Sequence, residues 1–245
     1  AEDYEATLRW LRENGEPLRE FICDTGLYLE DALSAGKSVL FEAQLGALRD
    51  IDYGIYPYTS SSTTLAAYAP IGAGIPGRKL DKTVGVMKAY SSCVGEGPFT
   101  CELFGTEAEA LREAGGEYGA ATGRPRRVGP FDVPASRYGA RVQGVDEIAL
   151  TKLDTLSYLS EIPVCVAYEV DGITTREFPS GDRLDRAKPV VEKMPGWSCD
   201  ITACRRWEDL PEAARNYVAF LEEQTGRSIR YVSVGADRDQ YLVRE

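Results

Sequence analysis

Short apolar runs recur along this chain between segments with helical spacing, and this alternation limits the possible fold more than any other feature. The apolar runs occupy positions 84–87, 148–150, 164–167 and 229–233. The clearest helical segments lie at 107–113, 135–142 and 211–224, and the last of them has a proline at its first turn. Strands that alternate with helices favour an α/β fold around a sheet with a parallel core.

The first part of the chain has a helical pattern. Apolar residues over positions 2–20, interrupted at 15–17, predict two short helices. A further helix is predicted to end at Gly36, and the run 38–41 is predicted to be a buried strand.

We treat residues 1–245 as a single structural unit, with a helical lead-in at 1–37 and the main part at 38–245. The chain opens with Ala1 and lacks the basic and apolar regions of a signal peptide. We therefore expect it to begin at a cut within a longer protein.

Composition excludes several classes of function. The 245 residues include no histidine, so the chain cannot supply a Ser-His-Asp triad, a histidine general acid or the usual zinc ligands. A net charge of −11 argues against binding to nucleic acid, and no apolar run approaches the roughly 20 residues of a membrane span. The six cysteines contain no C-x-x-C pair, which is typical of reduced thiols in a cytosolic protein.

The motif Thr151-Lys152-Leu153-Asp154 directly follows a predicted strand. Ligands bind beyond the carboxyl ends of strands in open α/β sheets. An Asp carboxylate suits guanine, because guanine presents two adjacent N–H donors that one carboxylate can accept together. The alternative interpretation is a surface turn with an exposed Lys and Asp.

Two long loops, 52–77 and 115–130, exceed the length needed for connection and are predicted to carry function. The second contains Arg124, Arg126 and Arg127 after a run of small residues, which indicates an anion site unless the arginines form a solvated basic turn. The first contains six consecutive hydroxyl residues at 59–64, which either contact phosphate or form a flexible loop.

Seven motifs together resemble those of the adenylosuccinate synthetase family, in the order and approximate spacing of that family. They lie at 88–90, 94–99, 102–104, 122–127, 151–154, 194–197 and 233–235. The resemblance covers positions 21–244 and implies a mainly parallel-sheet, P-loop GTPase-like fold with helices on both faces and long substrate loops. It also implies a cytoplasmic ligase that uses GTP to join inosine monophosphate (IMP) and L-aspartate, typically as a homodimer.

The resemblance also implies roles for individual residues. The GTP-binding residues are Arg126, Lys152, Leu153, Asp154, Ser233, Val234 and Gly235. The IMP-binding residues are Gln44, Thr59, Ser60, Val94 and Arg124. The aspartate-binding residues are Ala121, Thr122, Gly123 and Arg124. Ala121 stands where the family has threonine, and Gln44 is displaced by one position.

The family's phosphate loop, catalytic Asp and catalytic His have no counterpart in these residues. We therefore predict no catalytic residue and no metal ligand in this chain, with the Mg²⁺ ligands outside it, and we expect the chain alone to be inactive. Two alternatives remain open: a non-catalytic remnant that binds guanine nucleotides, and an α/β interaction protein that shares only the fold.

Overall fold

The computed structural model describes residues 3–244, which divide into two compact units. One unit comprises residues 3–42 and 68–79, and the other comprises residues 43–67 and 80–244. The sequence predicted a single structural unit with a helical lead-in that ends at residue 37. The division differs from that prediction, because residues 68–79 join the first unit from a distant part of the sequence. None of the helices among residues 3–244 is both long and apolar enough to cross a membrane.

The first unit is helical. Helix α1 (Tyr4–Gly15) begins after Asp3, whose carboxylate caps its first turn, and continues into the 3-10 helix Glu16–Phe21. Helix α2 (Thr25–Ser34) is capped by Asp24, and the short helix α3 (Ala69–Gly72) completes the unit. The two predicted helices are therefore confirmed, although the second is a 3-10 helix.

The end of α2 follows the prediction, but the strand predicted after it is wrong. Gly36 has a φ of 78°, and it and Lys37 donate backbone hydrogen bonds to the carbonyls of the last turn. Residues 38–41 form irregular chain, and Leu40 is 94% exposed. An apolar run becomes a strand only where another strand supplies backbone partners, and none does so within the described residues.

The second unit contains a four-stranded sheet that confirms the predicted parallel core. Its order is β1 (Val84–Lys88), β5 (Glu147–Thr151), β9 (Ser228–Ser233) and β10 (Tyr241–Val243). The first three strands are parallel, and only β10 is antiparallel to its neighbour.

A second four-stranded sheet is built around β6 (Glu161–Val170). Strand β4 (Phe131–Asp132) pairs parallel to it, whereas β7 (Ile173–Thr175) and β8 (Lys188–Pro195) pair antiparallel. The β6–β7 connection is a tight turn at Asp171 and Gly172, both with positive φ, which is the geometry of a hairpin. Strands β2 (Ser91–Cys93) and β3 (Arg127–Gly129) form a separate antiparallel pair.

Helices α4 (Gly105–Gly115), α5 (Val133–Gln143) and α7 (Glu212–Thr225) confirm the three predicted helical segments, and α6 (Asp182–Asp185) is a single turn. The three long helices each end at a glycine in the left-handed conformation. The core includes Ile148 and Leu150 of β5 and Tyr217 and Leu221 of α7. Burial of each of the three aliphatic side chains contributes roughly 1.5–3 kcal/mol. This core holds in place the sheet edge described in the next subsection.

Candidate functional site

The carboxyl ends of β1, β5 and β9 lie at one edge of the sheet because the three strands run parallel. The backbone N–H of Leu153, just after β5, donates to the carbonyl of Ser233 at the end of β9 (3.3 Å). Two of the segments predicted to bind GTP, 152–154 and 233–235, therefore lie side by side.

The residues after β5 have a specific local geometry. Lys152 adopts a positive φ of 60°, and its ammonium group donates to the Gly115 carbonyl (2.7 Å). Leu153 is fully buried and anchors the turn, and Asp154 begins the 3-10 helix Asp154–Tyr158. Burial raises the pKa of Asp154, against the opposing charge of Lys152. Within residues 3–244 no side chain donates to this half-buried carboxylate, so it can accept a ligand's donors.

The loop after β9 is held by Gln240. Its backbone carbonyl accepts from the Val234 N–H (2.9 Å), and its side-chain carbonyl accepts from the Asp237 N–H (2.9 Å). A Cβ on Gly235 would overlap the end of the Gln240 side chain, so a larger residue here would displace the Gln240 amide from its hydrogen bonds. The Ser233 hydroxyl donates to the Gly235 carbonyl (2.9 Å). This loop is therefore fixed beside the Asp154 carboxylate.

The three arginines of the second long loop occupy different environments. Arg124 is exposed, and its side chain forms no hydrogen bond with the described residues. Arg127 forms a two-point ion pair with Glu102 (2.9 and 2.6 Å) and also donates to the carbonyls of Gly95 and Gly97. The interpretation of the three as one anion site is therefore wrong for Arg127, because an acidic side chain already neutralises it.

Arg126 belongs to a buried network that the sequence did not predict. The Glu117 carboxylate, almost fully buried, accepts from Lys88 Nζ (2.7 Å), Tyr90 Oη (2.6 Å) and Arg126 Nη1 (3.0 Å). Burial alone would raise the pKa of Glu117, but the hydrogen bonds from Lys88 and Tyr90 and the nearby positive charge hold it below its ordinary value. The network ties the 115–126 segment to the carboxyl end of β1.

The geometry of Arg126 leaves one group free within this network. Its Nε–H is buried and has no acceptor within the described part of the chain. Because an unsatisfied buried donor is costly, this N–H is the polar group of the network whose hydrogen bonding the described chain leaves incomplete.

The residues predicted to bind aspartate form one exposed turn. The Gly119 N–H donates to the Arg124 carbonyl (2.8 Å), and the Gly123 N–H donates to the Gly119 carbonyl (2.8 Å). The Thr122 hydroxyl accepts from the Arg124 N–H (3.4 Å). Ala121, Thr122, Gly123 and Arg124 are therefore consecutive on one turn and open to solvent.

A buried aspartate organises the first long loop. The Asp50 carboxylate is inaccessible to solvent and accepts from the N–H groups of Asp52, Tyr53 and Thr64 and from the Thr63 hydroxyl, at 2.7–2.9 Å. Burial raises the pKa of Asp50, but these hydrogen bonds outweigh it and lower the pKa below the ordinary 3.8. The hydroxyl-rich segment is therefore an ordered loop in this region.

Arg49 joins two segments predicted to bind IMP. Its carbonyl accepts from the Ser60 N–H (2.8 Å), and its guanidinium donates to the carbonyls of Tyr58 and Val94. Thr59, Ser60 and Val94 are thereby brought together. Neither Gln44, which is exposed, nor the Arg124 side chain is hydrogen-bonded to this group within residues 3–244.

Sequence reasoning missed Glu117, Arg49 and Asp50. Arg49 and Asp50 lie just before the first long loop, which begins with Asp52. This position next to a loop predicted to carry function was a usable signal. Glu117 follows two glycines in a charged region and has no distinguishing pattern, because its role depends on residues from three separate segments.

The chain matches the family model described as adenylosuccinate synthetase over residues 1–242. The adenylosuccinate synthetase of Streptococcus gordonii is 47% identical over 234 residues, which are 95% of this chain and 54% of that protein. That of Mycobacterium marinum is 46% identical over 243 residues, which are 99% of this chain and 56% of that protein. The chain spans about half the length of the curated relatives it matches.

A solved structure extends the comparison to three dimensions. The structure of fully ligated adenylosuccinate synthetase from Plasmodium falciparum superimposes with a TM-score of 0.95 at 37% identity. The superposition covers 100% of this chain and 59% of that one. The predicted α/β fold class is confirmed by this match.

Proposed function

The chain belongs to the adenylosuccinate synthetase family, and we propose from this that it forms part of a ligase that makes adenylosuccinate from IMP and L-aspartate at the expense of GTP. In the proposed reaction GTP phosphorylates the 6-oxygen of IMP, and the aspartate amine then displaces phosphate. This is a step of AMP biosynthesis. Because the chain spans about half the relatives' length, the activity is proposed for the intact protein.

The observation that carries the proposal is the half-buried Asp154 carboxylate at the joined ends of β5 and β9. It has no donor among the side chains of residues 3–244, and it lies beside the ordered loop of Ser233, Val234 and Gly235. We propose that it accepts N1–H and N2–H of guanine together, while the Lys152 stem lies along the base. Adenine lacks this donor pair and would leave the carboxylate unpaired.

Arg126 is the proposed contact with the phosphate-bearing part of GTP. Its Nη1 is fixed by Glu117, whereas its buried Nε–H is left without an acceptor in the described chain. A planar guanidinium held in this way presents its remaining donors in one orientation. The role proposed for Arg126 is therefore to orient GTP on the sheet edge.

The other two substrates are assigned to the two long loops. IMP is proposed to contact Thr59, Ser60 and Val94, which Arg49 holds together, and also Gln44 and Arg124. Aspartate is proposed to bind the exposed 121–124 turn, where backbone N–H groups and the planar Arg124 guanidinium can donate hydrogen bonds to carboxylates. Arg124 would then contact both substrates.

We propose that Mg²⁺ accompanies GTP and neutralises charge on its phosphates. Magnesium prefers oxygen ligands. Among residues 3–244, the group of three potential metal ligands within reach of one another contains two thiols, so it does not suit magnesium. The proposal therefore assigns the magnesium ligands to the remainder of the intact protein. The homodimer and the cytoplasmic location stay predictions.

Calorimetry with GDP and ADP tests the proposed base recognition. We expect the chain to bind GDP more tightly than ADP, and Asp154→Asn to reduce the preference about ten- to a hundredfold. This follows because a hydrogen bond to a charged group contributes roughly 1.5–3 kcal/mol. Asp200→Asn, which removes a nearby exposed carboxylate, is the matched control and should keep the preference.

Equal affinities of the folded wild-type chain for GDP and ADP would contradict the proposal that Asp154 recognises the guanine base. Guanine selectivity without adenylosuccinate formation in the intact protein would instead favour the non-catalytic alternative.

A further inference from the structure

Three potential metal ligands meet in the interior of the second unit, outside the proposed nucleotide and substrate contacts. Cys101, Asp132 and Cys165 are 3%, 5% and 0% exposed. One ligand atom of each, the two Sγ atoms and a carboxylate oxygen, lies within 4.8 Å of the others. The sequence does not predict this group, because the three residues are widely separated along the chain.

Regular backbone structure fixes these side chains. Asp132 on β4 and Cys165 on β6 are register partners of a parallel pair. Cys101 lies in the turn that precedes α4, and its Sγ is 3.3 Å from Asp132 Oδ2. The group is therefore built from a sheet and an adjoining turn, and not from flexible surface chain.

The distances suit one tetrahedral ion. With metal–sulfur and metal–oxygen bonds of about 2.3 and 2.0 Å, a sulfur and an oxygen ligand of tetrahedral zinc lie about 3.5 Å apart. The observed Sγ–Oδ2 separation is 3.3 Å. The Pro130 carbonyl oxygen lies 3.7 Å from Cys101 Sγ, which is close to the same separation.

No cationic side chain among the described residues occupies the Asp132 carboxylate. Asp132 Oδ2 accepts from the Tyr168 hydroxyl (2.6 Å), and Oδ1 caps α5 through the Ala135 N–H (3.1 Å). Hydrogen bonds of this kind orient a ligating carboxylate.

We propose that Cys101, Asp132 and Cys165 form a binding site for a single sulfur-preferring divalent cation of the Zn²⁺ type. Two cysteines and a carboxylate are established zinc ligand types, so the absence of histidine is no obstacle. Binding forms two metal–sulfur bonds and one metal–oxygen bond, and each thiol releases one proton to solvent. The site is separate from the proposed magnesium requirement, because magnesium disfavours thiolates.

Cobalt titration of the chelator-treated 245-residue chain tests this site. Co²⁺ bound by thiolates in a tetrahedral site gives a charge-transfer band in the near ultraviolet and intense visible bands. We expect these bands to saturate at one ion per chain and to disappear when Zn²⁺ is added. Cys101→Ser and Cys165→Ser should each weaken binding at least about a hundredfold, whereas Cys199→Ser, which changes an exposed thiol, should leave it unchanged.

X-ray absorption of the zinc-loaded wild-type chain supplies a measurement that does not depend on variant folding. We expect two sulfur neighbours at about 2.3 Å and oxygen neighbours at about 2.0 Å. The proposal is overturned if the folded wild-type chain gives no thiolate bands. It is also overturned if the bands persist in both buried-cysteine variants, or if Cys101 and Cys165 are found joined in a disulfide that excludes metal.

Discussion

Arg124 and Arg126 are two positions apart in the chain, yet their surroundings give them different dependences on the fold. Arg124 is exposed and free of side-chain hydrogen bonds within the described residues, whereas Arg126 donates to the buried Glu117 carboxylate. Removing Arg126 leaves Glu117 with only Lys88 and Tyr90 as side-chain donors. A substitution at 126 is therefore expected to change stability as well as the proposed contact with GTP.

We predict that in the intact protein Arg124→Leu raises the KM for aspartate at least about tenfold, through loss of a charge-assisted pair, and changes the KM for GTP little. Its unfolding temperature should equal that of the wild type. Arg126→Leu should weaken GTP more than aspartate and also lower the unfolding temperature. Steady-state kinetics and thermal unfolding measure these effects.

Arg126→Lys is the control for Arg126→Leu, because it keeps a positive charge near Glu117 but lacks the planar guanidinium group. It should recover part of the lost stability without recovering GTP affinity. If Arg124→Leu and Arg126→Leu impaired every substrate equally, the proposed division between aspartate and GTP contacts would be wrong.

At the scale of elements, the first long loop depends on a carboxylate that must be ionised. Asp50 Oδ1 accepts two backbone N–H groups, and Oδ2 accepts the Thr63 hydroxyl and the Thr64 N–H. The folded state lowers the pKa of Asp50, so its contribution to stability is present above the ordinary pKa of 3.8 and is lost as the pH falls through the lower, folded value.

We predict that Asp50→Asn lowers the free energy of unfolding at neutral pH by roughly 2–4 kcal/mol, because the Asn NH₂ group cannot accept the two bonds made to Oδ2. The stability difference from the wild type should shrink on acidification below about pH 4. Urea unfolding at a series of pH values measures this difference.

Asp52→Asn is the matched control, since Asp52 is exposed and two positions away. It should change neither the stability at neutral pH nor the acid profile appreciably. A stability difference between the wild type and Asp50→Asn that is the same at pH 7 and at pH 3 would contradict the assigned role of ionised Asp50.

The elements themselves were largely predictable because their signals are local. Helix α7 shows a proline at its start, helical spacing and a glycine after its last residue, and it forms where predicted. The run 38–41 has the apolar character of a strand but lacks a partner in the described chain. Strand pairing depends on residues that are far apart in the sequence, so it cannot be predicted from one short segment.

Residue roles were less predictable than elements. The Lys152–Asp154 and Ser233–Gly235 segments were proposed from their motifs, and their GTP-binding role stays a prediction. The adjacency of the two segments follows from the parallel pairing of β5 and β9. Glu117 could not be found, because its importance arises from burial beside Lys88, Tyr90 and Arg126. Arg127 was misassigned for the same reason, since Glu102 is contributed by a different segment.

At the scale of the whole molecule, the chain covers the proposed base, IMP and aspartate contacts within about half the length of its relatives. Phosphoryl transfer requires positioned charges around the transferred group, and losing them costs many orders of magnitude in rate. The described residues offer no oxygen-only group of three metal ligands for that purpose.

We predict that residues 1–245 alone form no measurable adenylosuccinate when supplied with GTP, Mg²⁺, IMP and aspartate, as followed by absorbance. A protein extended to the full length of the relatives is the positive control and should turn over. Turnover by the 245-residue chain at a rate typical of enzymes would contradict the assignment of the catalytic groups to the remaining part.

The hydrogen bond between Leu153 and Ser233 joins segments that are far apart in the chain, and this has a consequence for the order of folding. Contacts between distant segments form only after the entropy of closing the intervening loop has been lost, so β9 is expected to dock late. Until it docks, Asp154 lacks the neighbouring 233–235 loop of the proposed guanine site. A guanine nucleotide would therefore bind only chains that have finished folding, and by mass action it would draw partly folded chains towards the native state.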